Sequence, residues 1–241
     1  MEMLRMATDE FDFLLWKVEH LIKKQDTKMR LAIPPSETFK SLRFQYRVGT
    51  STISQIVVET CAALYQVMKE DFLKTPSTEA EWRSIAQDFA RKRQFPHCLG
   101  ALDGKHIHVQ PPTKSGSLYH KGRFSVLMMA AVDANYKLIY ASVGTQEPDK
   151  VVKITMASLC IHNFLCEHRS EAYTPPAFAD WEKADHNMVG GVWRNHGMGV
   201  FQPVEHRRAR NATVTAKMQR NLLRDYFVST AGSVSWQEQH I

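Results

Sequence analysis

The sequence predicts an α+β fold: a helical N-terminal part, a short antiparallel sheet, and a helical, loop-rich C-terminal region. Two observations carry this. Apolar residues recur at helical spacing through most of residues 8–94 and again over 151–165 and 214–226. Between these stretches, three apolar runs, Leu99–Leu102, Val126–Val132 and Leu138–Val143, are broken at turn-forming residues and read as strands.

The first helix opens at Thr8, with Asp9 and Glu10 favourable at its N-terminus. Phe11, Leu14, Leu15, Val18, Leu21 and Ile22 give it an apolar face, and Lys23-Lys24 suit its C-terminal end. Pro34-Pro35 then forbids helix. A short helix is expected with Phe39, Leu42 and Tyr46 on one face, followed by a turn at Arg47-Val48-Gly49. A longer helix follows from Ser51 to about Phe72, with Ile53, Ile56, Val57, Cys61, Leu64 and Val67 inward. Short helix, Gly turn and polar-capped helix make a helix-turn-helix-like unit. Arg47, Ser51, Thr52, Ser54 and Gln55 are its candidate DNA-contacting residues. Two helices packed about a Gly turn with no ligand are the commoner outcome of such a pattern.

Ser77-Thr78-Glu79 starts the next helix, whose stripe is Trp82, Ile85, Ala86 and Phe89. After the strands, Pro148-Asp149 starts a mostly buried helix through His162 and Asn163. From about Arg169 the chain is rich in Pro, Gly and His and reads as loop. A final helix is expected over 211–227, with Val214, Met218, Leu222 and Tyr226 in register. The resulting division is 1–37 for the first helix and linker, 38–73 for the helix-turn-helix-like unit, and 74–94 for a connecting helix. The strand region is 95–146, and the late helix and tail are 147–241.

Composition sets outer limits. With 241 residues, 44% hydrophobic and 23% charged, the chain can bury a core without staples and does not read as disordered. Its four Cys form no CxxC pair, so a zinc ribbon is not expected, and free thiols in a reducing compartment are. No apolar run reaches the roughly 20 residues of a membrane span. The N-terminus does not read as a signal peptide, which gives an intracellular expectation. A net charge of +6 permits nucleic-acid binding without demanding it. The clusters Lys23-Lys24, Arg91-Lys92-Arg93 and Arg207-Arg208-Ala209-Arg210 each read as solvated faces.

The chemistry centres on carboxylates. Two-metal cleavage of a phosphodiester places two cations about 4 Å apart, and Mg²⁺ takes one or two protein carboxylates per ion. Roughly three acids must therefore converge. Asp103 is the first candidate, at a strand end with Gly104 beside it, although Asp-Gly is also a common hairpin turn. Asp133 is the second, in a Val-Asp-Ala-Asn-Tyr turn where capping through its side chain is the favoured reading. His106 and His108 share a strand face and read as surface residues before ligands. His162 reads as a histidine bonded to a backbone carbonyl.

Several segments, in order, resemble the Harbinger (PIF) class of transposase-derived nucleases of the DDE superfamily. They are KQDTKMRLAIPP, SLRFQYRVGTSTISQIVVETCAALYQVMKEDFLKTPSTEAEW, FPHCLGALDGKHIHVQPP, YHKGRFSVLMMAAVDANYKLIYASVGTQ, ASLCIHNFL, AYTPP and YFVSTAGSVSWQ. The resemblance implies a helix-turn-helix-like N-terminal part and an RNase H-like catalytic fold. It also implies an Asp, Asp, Glu or Asp triad holding Mg²⁺ or Mn²⁺, cutting or joining of DNA, and a nuclear location, with the cytoplasm as a second. The implied partners are DNA and a full-length relative or adaptor protein. Asp103 matches the first triad position, in the family's Gly-Ala-Ile/Leu-Asp-Gly motif. After Val143-Gly144-Thr145-Gln146 the chain departs from the family, and the span holding the second Asp and the final acid is missing before the late helix. A shorter gap follows Glu37. The expectation is a remnant: the first three strands of an RNase H-like sheet, a metal-ion position at Asp103, and no cleavage by this chain alone. The alternative is a DNA-binding or partner-binding module derived from a transposase.

Overall fold

The computed structural model describes residues 6–29, 31–35, 49–110, 124–144, 149–168, 173, 175, 177–178, 180–182, 188–192, 201–203, 213–233 and 237. Helices and an antiparallel sheet coexist, as expected for an α+β chain. The order is α1 (Thr8–Ile22), α2 (Thr50–Phe72), α3 (Glu79–Arg93), β1 (Ala101–His108), β2 (Ser125–Val132), β3 (Leu138–Val143), α4 (Asp149–His168), β4 (Trp181–Glu182), β5 (Met188–Val189), β6 (Phe201–Pro203) and α5 (Val214–Phe227). The chain divides into two compact units. One holds Met1–Pro176 with His196–Pro203, and the other holds Ala177–Asn195 with Val204–Ile241.

In the first unit α2 packs against α1 and α4. The shared core joins Leu14 of α1, Met68 and Phe72 of α2, and Cys160, Phe164 and Leu165 of α4. Phe164 stacks on Phe13 with centroids 5.5 Å apart and meets Phe72 edge-on at 5.4 Å, geometries that aromatic pairs favour. The inward stripe expected for α2 is only partly used. Ile53 is buried, but Ile56, Val57, Cys61, Leu64 and Val67 are half-buried, and Ala63, Met68 and Phe72 are buried with it. A 23-residue helix drifts relative to its neighbours, so its C-terminal half buries a shifted face.

Local signals explain the helix ends. In α1 the Glu10 carboxylate accepts from the Ala7 N–H at 2.7 Å. The cap position is Ala7, one residue before the Thr8 that the sequence suggested. In α3 the capping is reciprocal. Thr78 Oγ1 accepts from the Glu81 N–H at 3.2 Å, and Glu81 Oε2 accepts from the N–H groups of Thr78 at 2.9 Å and Ser77 at 2.8 Å.

The main sheet runs β3-β2-β1-β6, with every neighbouring pair antiparallel. Strand alternation sends Ile107, Val126, Met128 and Val143 to one face, where they pack with Met156 of α4. The opposite face carries the row Leu102, Ala131 and Tyr140. There Leu102 is 65% and Tyr140 46% exposed.

Two expectations are corrected. Asp103-Gly104 neither ends a strand nor makes a turn. The ladder with β2 continues through Asp103 opposite Ala130 and Gly104 opposite Met129, so Asp103 is the third residue of an eight-residue strand. The sheet also has a fourth strand, β6, from the region read as loop, and β4 pairs with β5 there too. Strands of two or three residues are too short to show a period of two. Pro203 is tolerated in β6 because edge strands accommodate a missing donor.

The β2–β3 turn is gripped by two helices. From α3, Lys92 Nζ donates to Asn135 Oδ1, Arg93 donates to the Ala134 carbonyl at 3.3 Å, and the Arg93 guanidinium lies 4.8 Å over the Tyr136 ring. Asn135 in turn donates to Asp88 at 3.3 Å. From α4, His162 Nε2 reaches the Tyr136 carbonyl at 2.9 Å, the carbonyl partner expected of this histidine. Tyr136 takes φ 65°, a left-handed conformation that costs a bulky residue energy. Contacts from both sides hold it there.

Candidate functional site

Asp103 lies near the start of β1 on the same strand face as Ile107, opposite Ala130 of β2. Its side chain is 70% exposed and its Oδ2 lies 3.2 Å from Lys105 Nζ. Its Oδ1 accepts from the Gly104 N–H at 2.8 Å. The carboxylate is therefore hydrated and accessible, with one neighbouring cation that competes with any metal ion.

Asp133 is used otherwise. Its Oδ1 accepts from the backbone N–H groups of Asn135 at 2.7 Å and Lys137 at 3.0 Å, while its own N–H donates to the Lys137 carbonyl at 2.8 Å. This is side-chain capping of a hairpin turn. His106 and His108 lie on the face opposite Asp103, and His106 Nδ1 meets Ser125 Oγ at 3.0 Å. Asp149 pairs with Lys153 at 2.7 Å in the first turn of α4. Glu147, the acid just before α4, lies outside the described residues. Among the described residues no three His, Cys, Asp or Glu side chains converge as a metal cage. Asp103 fits a single Mg²⁺ that keeps most of its waters. It does not by itself fit a pair of ions.

The polar start of α2 is the second candidate surface. Ser51, Thr52, Ser54 and Gln55 are all exposed, and burial of Ile53 turns Ser51, Ser54 and Gln55 toward solvent. Gln55 Nε2 donates to Glu59 at 2.9 Å, and Lys24 Nζ pairs with Glu59 at 2.9 Å. Those two partners, Lys24 first, hold the Glu59 carboxyl below its ordinary range. Thr52 and Gln55 also line a cavity of about 520 Å³ between α1, the Ile33–Pro35 segment and α2. The turn therefore offers Ser51 and Ser54 as its least engaged hydroxyls. Arg47 and the short helix expected over 39–46 lie outside the described residues.

The cluster Arg91-Lys92-Arg93 is more than the solvated face its sequence suggests. Lys92 and Arg93 are exposed but engaged with the hairpin turn, and Arg91 pairs with Asp88 at 2.7 Å. A basic end of a helix followed by a strand region contains no signal that would pick out this role. Cys166, whose Sγ lies at hydrogen-bond distance, 3.4 Å, from His162 Nε2, is not an activated thiol. Burial first, then the Asp133 charge, pushes it up to about 11. No family model, curated protein or solved structure matches the chain.

Proposed function

We propose that the chain is a remnant of a Harbinger-class DDE nuclease. In this reading it keeps the first metal-ligand position, Asp103, and does not cleave DNA alone. The observation that carries the reading is Asp103 itself: an exposed carboxylate near the start of a sheet strand, separated from the capping carboxylate of Asp133 by that residue's own role. The three-strand order β3-β2-β1 and the flanking α4 support an RNase H-like origin for the sheet. In-line displacement needs both the attacking and the leaving oxygen stabilised, and one carboxylate organises neither pair of contacts. No chemical step is therefore assigned to the chain. Mg²⁺ or Mn²⁺ at Asp103 would serve as a weakly held, largely hydrated ion.

The second reading is a DNA-binding module. It is favoured by the exposed polar first turns of α2, whose hydroxyls and amide N–H groups suit phosphate or base contacts. The helix-turn-helix-like unit, with Arg47 as a phosphate contact, belongs to this reading, and DNA is its partner.

One experiment tests both. Purified chain and an Asp103→Ala control are incubated with duplex DNA in Mg²⁺ or Mn²⁺, and binding is followed across a salt series. The expected result is no cleavage above the control, with binding that weakens steeply with salt as phosphate contacts release counterions. Cleavage lost on Asp103→Ala overturns the remnant reading. Absence of binding at low salt overturns the module reading. Cleavage only on addition of a full-length relative makes the chain a partner subunit.

A further inference from the structure

Helix α5 presents a ridge that its own unit leaves open. Val214, Met218 and Leu222 are 74%, 66% and 65% exposed, and their four-residue spacing places them along one ridge of the helix surface. Half-buried Tyr226 ends that ridge. The helix is otherwise well made, with Thr213 Oγ1 accepting from the Ala216 N–H at 3.3 Å as its N-cap.

The ridge is self-complementary. Positions 214 and 226, and positions 218 and 222, are equidistant from Arg220. A two-fold axis lying beside the ridge, perpendicular to the helix at the level of Arg220, sets two copies antiparallel. It lays Val214 against Tyr226 of the second copy and Met218 against Leu222 of the second copy. Helical spacing of about 100° per residue puts Arg220 on the far side from the ridge, so its charge does not meet itself. Lys217 and Asp225 fall on the same flank of the ridge, and like flanks meet in an antiparallel pair. Lys217 then comes within two residues, about 3 Å of helix rise, of the level of Asp225 of the second copy. In a single copy Asp225 pairs with Arg224 at 2.7 Å, with both side chains largely exposed. Exposed pairs of this kind are weak and exchange readily.

We propose that the chain self-associates through α5 as an antiparallel, two-fold pair of copies. One helix on its mate buries less than the roughly 1,200 Å² of a standard interface, so the association is weak and reversible. The proposal is independent of the nuclease and DNA readings.

Sedimentation equilibrium from the micromolar to the submillimolar range tests it. The expected mass rises from one copy toward two. Met218→Glu combined with Leu222→Glu stays monomeric throughout, with an unchanged circular dichroism spectrum. Lys217→Glu and Asp225→Lys each weaken association several-fold, and the two together restore it. These two positions are exposed, so the charge swap decides the matter even where the Glu pair perturbs folding. The proposal is overturned by a monomer at every concentration, whether or not some other protein binds the ridge. Association that survives the Glu pair in a folded variant, or a charge swap that fails to restore it, also overturns it.

Discussion

Asn163 shows how much one residue can decide. It is 0% exposed. Its Oδ1 accepts from the Leu138 N–H at 2.8 Å, and its Nδ2 donates to the Leu138 carbonyl at 2.7 Å and to the Phe72 carbonyl. One amide thus satisfies backbone groups of β3 and of the last residue of α2. Asn163→Ala strands these groups away from water at about 1–3 kcal/mol each. The expected loss is about 3 kcal/mol or more of unfolding free energy, read from urea denaturation at 25 °C. Asp103→Ala removes a mostly exposed carboxylate and is expected to stay within about 0.5 kcal/mol of the parent in the same measurement. The sequence flagged His162-Asn163 but gave their role only to the histidine. Nothing in a helical pattern reveals that an amide will reach across to another element's backbone.

At the scale of elements, α3 carries a testable pH dependence. Glu81 is held at about 2, well under its ordinary 4.5, chiefly by the backbone N–H groups of Ser77 and Thr78. A folded-state value below the unfolded one means that this cap stabilises fully above pH 4.5. The contribution fades as the pH falls toward 2. Carbon-detected NMR titration is expected to find the Glu81 midpoint near 2, with the first turn of α3 fraying over the same interval. A midpoint at the ordinary value would show the carboxylate to be free of the cap. Glu81→Gln should keep the first turn intact through that interval, because the amide oxygen accepts without titrating. Signals at the N-termini made α1 and α3 legible to within a residue or two, whereas α2 was legible from its apolar spacing: its N-cap is Gly49, with no side-chain cap from Thr50 or Ser51. The strand pair β2 and β3 was legible because each holds six or more apolar-rich residues around an Asp-Ala-Asn turn. The short strand β6 was not legible, because its pairing with β1 is set by the partner strand and not by any pattern of its own.

At the scale of the whole molecule, the candidate site was legible only in part. Asp103 was found through its motif, yet its place within β1 came from the ladder with β2, which extends the strand back past Gly104. The turn role of Asp133 followed from its sequence context. The hairpin tip that Asp133 caps is reached by Lys92 and Arg93 from one helix and by His162 and Asn163 from another. Two helices far apart in sequence thus close on the same few backbone atoms. The hairpin should therefore have no private route to opening, and sheet and helices should behave as a single foldon. Native-state hydrogen exchange is expected to report this directly. The Leu138 amide should exchange only through global unfolding, with the same denaturant dependence as the central amides of α4. A shallower dependence at Leu138 would mean that the hairpin detaches first. In that case the joint grip on its tip would contribute little to the cooperativity of the fold.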